Sequence, residues 1–459
     1  MSEAEQHFKA GKTLHNQGQL KEAILEYSKA IELDAGMAEA YHNRGKAYAD
    51  QENPHQAIQN YDVAIRLDAK FVEAYHNRGI VYRELGEFQQ AIEDFDKSIS
   101  LDPKLAAAYQ DRGIAYRGLG EFHRAIDDFG EAIRIAPKLA EAYHNRGFTS
   151  CTIGDFHRAI EDFNEAIRLD PKVAGAYNSR GNAYANLGEL RQAIRNYDEA
   201  IRLDSELAQA YHNRGVAYRE LGEFQRAIDD LDQAIRLEPE LAGDYNNRGN
   251  AYANLGRFQQ AIGDYDEAIR LEPELAISYY NRGNAYRELG EFQRAIGDYD
   301  EAIRLDPLYT KTYNNRGNAY ASLGELRQAI EDYNEAIRLD PELATSYYNR
   351  GNAYAALGKP DEAIENYNEA IRLDPQYAKA YHNRGNAYAN LGKFQQAIQD
   401  YSEATRINPG YAKAYVARAA VYTILNMDRA AQKDIDRAVE LGVDPTLLEV
   451  RIQGINEQR

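Results

Sequence analysis

The sequence predicts an all-α solenoid of stacked helix pairs, and three observations carry that prediction. A 34-residue phrase recurs without a gap from Ala4 to Pro445, thirteen copies in all. Within each copy the apolar and small residues fall into two stretches with helical spacing. Glycine near the middle of the copy and proline near its end punctuate those stretches. A period of this size belongs to stacked supersecondary units, none of which buries its own apolar face without neighbours. The expected domains are therefore a repeat array over 4–445 and a C-terminal capping helix over 446–459.

Slots within each repeat are numbered from Ala4, Ala38, Val72 and every 34 residues onward. Advancing 100° per residue places slots 4, 7, 8, 11 and 14 on one face within about 120°. In the third repeat these are Tyr75, Arg78, Gly79, Tyr82 and Leu85, the expected packing face of helix A. Glu73, His76, Asn77, Ile80, Arg83 and Glu84 form the opposite, free face. Slot 15 is Gly in eleven of thirteen repeats, which suits a left-handed C-terminal cap. The exceptions are Glu52 and Asn426.

Helix B follows, with Phe122, Ala125, Ile126, Phe129, Ala132 and Ile133 on one stripe, and stops before pairs such as Asp102-Pro103. Gly at slot 8 is costly inside a helix, roughly 1 kcal/mol against Ala. Its repetition from Gly11 to Gly385 predicts a close helix approach, with Ala at slot 20 across from it. Ala419 breaks the rule and predicts looser packing in the last repeat. Leu448, Ile452 and Ile455 share one helical face, which predicts the capping helix.

Bulk properties narrow the functions. A net charge of −19 opposes binding to nucleic acid. No apolar run reaches the ~18 residues that span a bilayer, and the start MSEAEQHFKAGK lacks an apolar signal core. Cys151 is the single cysteine, so neither an intramolecular disulfide nor a cysteine-based zinc site can form. A soluble, cytoplasmic protein without membrane insertion is the expectation.

The pattern resembles the tetratricopeptide repeat family. In one repeat the match is Tyr245, Gly249, Tyr252, Ala261, Tyr265, Ala268 and Pro273, at slots 4, 8, 11, 20, 24, 27 and 32. The resemblance implies antiparallel helix pairs winding into a right-handed superhelix. It also implies a concave groove lined by helices A and a role in holding partner proteins. The family's chaperone-tail clamp needs basic residues at slots 5 and 6, which this chain lacks beyond Lys9. Slot 7 departs from the family's usual Leu: it is Arg in every repeat from Arg44 to Arg418, while slot 23 is Asp or Asn in the same repeats. An arginine on a packed flank needs a partner, so a repeated contact such as Arg78 with Asp94 is expected.

Slot 6 lies on the free face. It reads Asn43, Asn77, Asp111, Asn145, Ser179, Asn213, Asn247, Asn281, Asn315, Asn349 and Asn383 from the second repeat to the twelfth. Asn is a mediocre helix former. Its planar amide offers a donor and an acceptor that can pair with a peptide's N–H and C=O together. Helices A about 10 Å apart would bring one Asn to roughly every third residue of an extended peptide. The row is similar to the asparagine ladder in the repeat region of O-linked N-acetylglucosamine transferase, whose transferase domain has no counterpart here. At slot 9, Ile80, Ile114 and Phe148 offer an apolar patch and later repeats carry mostly Asn. Slot 2 drifts from glutamates such as Glu39 to Lys311, Lys379 and Lys413.

No nucleophile, metal set or phosphate loop stands out, and the slot 5 histidines lie in separate repeats. The sequence thus predicts a non-enzymatic interaction scaffold without cofactor or metal, binding an extended peptide or protein segment. The alternative is an assembly protein that works through its convex surface or its ends, including homodimerisation through a terminal repeat.

Overall fold

The structure is a computed structural model that describes residues 2–446 together with 448 and 450. Those residues hold twenty-six α-helices, from Glu3–Asn16 to Asp428–Glu440, two in each repeat. The chain divides into two compact bodies, Met1–Leu237 and Glu238–Arg459, holding repeats 1–7 and 8–13.

Repeat 3 shows how the sequence builds the unit. Helix A spans Val72–Glu84 and helix B spans Phe88–Leu101, so only three residues turn the chain back. Gly86 supplies that turn with φ +79°, where a side chain would be strained. Glu52 and Asn426 adopt the same region at φ 57° and 56° in the two repeats without this glycine. Helix B ends at Asp102, whose backbone is extended and whose Oδ1 accepts the Lys104 N–H at 3.0 Å.

Burial on helix B follows the expected stripe: Ala125, Ile126, Phe129 and Ala132 are buried in repeat 4. Helix A corrects the wheel. In repeat 3 the buried positions are Ala74, Gly79 and Val81, at slots 3, 8 and 10. Tyr75, Arg78 and Tyr82 are only half-buried, and Leu85 is 40% exposed. The reason is that this helix touches its own helix B, the preceding helix B and helices A on both sides. Burial is then set by several neighbours, and a wheel with one inward face misplaces it.

The slot 8 glycines meet the slot 24 side chain, an aromatic ring at all but Gly215, and some also meet helix B backbone. A Cβ built on Gly181 would lie 2.5 Å from Tyr197 Cε1, and one on Gly45 would lie 2.9 Å from Tyr61 Cε1 and 3.2 Å from the Ala57 carbonyl oxygen. The slot 20 alanine therefore contributes its carbonyl, and the slot 24 ring makes the tighter contact. Ala419 is itself buried at 1% exposure; its repeat has Ile435 where the others carry a ring or Leu231.

The slot 7 arginine reaches slot 23 of its own repeat in all twelve repeats from the second to the thirteenth. Arg78 holds Asp94 with Nε and Nη2 at 2.7 and 2.6 Å. Its Nη1 turns to Asp62 at slot 25 of the preceding repeat. One guanidinium thus staples two helices B, and the arrangement recurs at Arg282 with Asp298 and Asp266. Burial pushes the Asp94 and Asp298 carboxyls above their ordinary value, and the arginine hydrogen bonds offset only part of that.

At the C-terminal end, Pro445 and Thr446 begin a further helical segment, and Leu448 is buried at 4% exposure. Ile452 and Ile455 of the expected capping helix lie outside the described residues.

Candidate peptide-binding face

Helices A of successive repeats lie side by side within each body, so slots 5, 6 and 9 of neighbouring repeats come together. The slot 6 side chains are half-buried, and Asn145 is buried at 8% exposure. Most of their amide nitrogens are already engaged. Asn77 Nδ2 meets His42 Nε2 at 2.8 Å, Asn213 donates to Asn178 Oδ1 at 3.0 Å, and Asn281 donates to Asn246 Oδ1 at 3.1 Å. Asn349 donates to Asn314 Oδ1 at 3.1 Å. Asn315 and Asn383 each divide their hydrogens between a tyrosine hydroxyl, Tyr280 or Tyr348, and a slot 9 carboxamide, Asn284 or Asn352. The rule is that slot 6 donates to slot 5 of the preceding repeat.

The departures follow from what slot 5 offers. Asn43 faces a repeat with Phe8 at that slot and donates instead to the Glu39 carbonyl in its own helix, at 2.8 Å. Asn145 accepts from Arg117 Nη1 at 3.2 Å. Asp111 pairs with Arg83 and with His76 Nε2, and Ser179 meets His144 Nε2 at 3.3 Å. Asn247, in the first repeat of the C-terminal body, is half-buried. The expectation that each amide keeps both its donor and its acceptor for a ligand is therefore corrected: at most of these positions the nitrogen already serves the neighbouring repeat.

The oxygens differ. Oδ1 of Asn77, Asn213, Asn281, Asn349 and Asn383 accepts no hydrogen bond among the described residues, and none is a buried unpaired atom. These carbonyls reach solvent as acceptors. Two clefts between helices A bring them together with slot 9. One, about 340 Å³, is lined by Asn182, Tyr197, His212, Asn213 and Val216. The other, about 470 Å³, is lined by Asn352, Tyr367, Asn383, Asn386 and Asn390.

Slot 9 has a role the sequence reading missed. The slot 24 hydroxyl donates to it in every repeat where Tyr meets Asn: Tyr197 to Asn182, Tyr265 to Asn250, Tyr299 to Asn284, Tyr333 to Asn318, Tyr367 to Asn352 and Tyr401 to Asn386. Where slot 24 is Phe95, Phe129, Phe163 or Leu231, slot 9 is Ile80, Ile114, Phe148 or Val216. A residue without a hydroxyl leaves nothing for an amide to pair with, and an apolar neighbour matches it. Ile80 and Ile114 pack against the core around Phe95 and Phe129. Phe148 stays 48% exposed. The signal was present in the sequence as a co-variation between slots 9 and 24.

Four slot 5 histidines, His42, His76, His144 and His382, lie against the slot 24 ring of their own repeat. Burial pushes His42 and His382 down to about 4, keeping both imidazoles neutral. That state lets His42 Nε2 accept from Asn77. Burial also pushes the Cys151 thiol up to about 11, away from thiolate chemistry.

Family models described as tetratricopeptide repeat match residues 38–71, 72–105, 106–139, 206–272, 246–310 and 378–411. A further model, described as TPR repeat, matches 11–52, 151–188, 181–222, 317–358 and 351–392. The chain belongs to the tetratricopeptide repeat family, whose repeats support a protein–protein interaction scaffold. Among solved structures it is similar to the Cut9–Hcn1 hetero-tetramer of APC/C, with 15% identity, coverage of 99% of this chain and 96% of that chain, and a TM-score of 0.46. Yeast Tom70 is similar at 18% identity, covering 92% and 96%, with a TM-score of 0.41. MamA is similar at 30% identity, covering 36% of this chain and 96% of that chain, with a TM-score of 0.34. Curated proteins gave no match. No described helix is long and apolar enough to cross a membrane.

Proposed function

We propose that this chain is a non-catalytic scaffold that receives an extended peptide or protein segment along the face formed by helices A. The observation that carries the reading is that each body presents solvent-reaching carboxamide oxygens on its helices A, at Asn77 and Asn213 in the first and at Asn281, Asn349 and Asn383 in the second. Each is held in place because its own nitrogen is tied to the preceding repeat. Fixed acceptors of this kind favour the N–H groups of an extended backbone lying on either body, with little ordering cost on the protein side. Recognition through backbone N–H groups leaves the identity of the ligand's side chains open, and the clefts beside Asn182 and Asn352 supply the local contacts.

The test is a random 12-residue peptide library panned on the full chain, followed by site-specific photo-crosslinking. A crosslinker at exposed Asn186, on helix A, should capture selected peptides, and one at exposed Glu331, on helix B, should not. Capture confined to Glu331 would overturn the reading in favour of an outer-surface assembly role.

A further inference from the structure

We propose that repeats 4 and 5 carry a subsite for one carboxylate of an acidic peptide, built from Arg117 and Phe148. The inference rests on the reading that an extended segment lies along helices A, and it adds the side-chain chemistry that reading leaves open.

Arg83 and Arg117 occupy slot 12 of successive repeats, and each reaches slot 6 of the repeat that follows. Arg83 finds Asp111 there and forms an ion pair. Arg117 finds Asn145, with Nη1 3.2 Å from Oδ1. The register is the same, but an amide stands where the previous repeat placed a carboxylate. Among the described residues no carboxylate lies within ion-pair distance of Arg117, although it is half-buried. Elsewhere Arg287, also at slot 12, has Glu288 at 2.6 Å.

A half-buried guanidinium without a counter-ion is unfavourable. Burial, and then the neighbouring Arg83, both work against its charge. Phe148 lies against it, with the guanidinium carbon 5.3 Å from the ring centroid. That contact holds the cation in place without neutralising it. A guanidinium has five N–H donors, and a carboxylate can take two of them side by side. The 48% exposed ring beside it gives an adjoining apolar residue a surface to cover. Neighbouring charges fit a single carboxylate better than a polyanion: Asp111 is already engaged by Arg83 and His76, and Glu141 stands exposed on the helix that carries Phe148.

The test uses the peptides selected on the full chain and two variants, Arg117→Gln and Asn145→Asp. The second supplies Arg117 with the internal partner that Arg83 already has, and it leaves the arginine in place. Selected peptides should be enriched in Asp or Glu. Their affinity should fall roughly tenfold on both variants, and the same peptides with the acid changed to its amide should bind all three proteins alike. Thermal unfolding of Asn145→Asp at or above the wild-type midpoint separates loss of binding from loss of fold. Binders without a preference for acid, or a preference unchanged in both variants, overturn the subsite and leave the extended-segment reading intact. A library that yields no binder on helices A overturns both.

Discussion

The hydroxyl of Tyr299 donates to Asn284 Oδ1 at 2.8 Å, and the same oxygen accepts from Asn315 Nδ2 of the next repeat at 2.9 Å. A buried ring on helix B, a slot 9 amide and a slot 6 amide are thereby joined in one network. The ring is fully buried, so its hydroxyl needs a partner. Asn284 provides one, and in doing so becomes the acceptor that orients Asn315.

Tyr299→Phe should cost about 1 kcal/mol in urea unfolding, because Asn284 loses a hydrogen bond in a half-buried place. Adding Asn284→Ile to Tyr299→Phe should recover part of that loss, since Phe95 and Ile80 already form this pair in repeat 3, while Asn315 keeps only Tyr280 of its two acceptors. Asn284→Ile alone should cost more than the double variant. A double-mutant cycle showing additivity would mean that the two positions are not coupled.

The arginine staple gives a second prediction. Asp298 is 7% exposed and is held by Nε and Nη2 of Arg282 at 2.8 and 2.6 Å. Arg282→Met should destabilise by about 3–5 kcal/mol, because a buried carboxylate is left without its cation. Asp298→Asn should cost far less, since Arg180 with Asn196 and Arg350 with Asn366 use that arrangement. Chemical denaturation of both variants checks the contrast.

Gly181→Ala tests the close approach inside repeat 6. The new methyl would sit 2.5 Å from Tyr197 Cε1, a ring with little room to move. Overpacking of this kind should cost about 1–3 kcal/mol, against the gain in helix propensity that Ala otherwise brings. Gly175→Ala, where nothing lies within 4 Å, is the control and should be neutral or stabilising. Equal thermal shifts for the two would remove the steric explanation.

These cases divide what the sequence exposes from what it hides. Some contacts inside one repeat are legible directly: the Arg78–Asp94 seam and the glycine turns follow from spacing and chemistry at fixed slots. Contacts between repeats are not. Asn77 meets His42 across 35 residues, and nothing in a single-helix wheel says that slot 6 of one repeat faces slot 5 of the one before. The exposed Leu85 was misplaced for the same reason, since a helix with four neighbours has no single inward face. The pairing of Tyr299 with Asn284 was written in the sequence as co-variation across thirteen copies, and it becomes readable only by comparing repeats with one another.

The pH response should come from the three slot 5 histidines that burial holds below their ordinary value, His42, His144 and His382. Burial holds His42 and His382 at about 4, below the ordinary value of 6.5. The unfolded chain therefore binds protons more readily than the folded one as pH falls below 6.5. The stability each neutral ring contributes is fully present above 6.5 and is lost as pH drops from 6.5 towards about 4. The loss amounts to about 3 kcal/mol per ring at most. Protonating His42 also turns Nε2 into a donor, which ends its acceptance of Asn77 Nδ2 and loosens repeat 2 from repeat 3. The buried aspartates act in the opposite sense. Asp94 and Asp298 have raised values in the fold, so acid does not weaken their repeats by that route. Hydrogen exchange at pH 7 and pH 5 should show increased opening in helices A of repeats 2, 3, 5 and 12, with smaller changes in repeats 8 and 10. His42→Asn keeps an acceptor for Asn77 without the titration and should abolish the change at repeats 2 and 3 while leaving repeat 12 sensitive. Uniform loosening across all repeats, or a His42→Asn protein that still opens at pH 5, would show that these rings do not set the acid response.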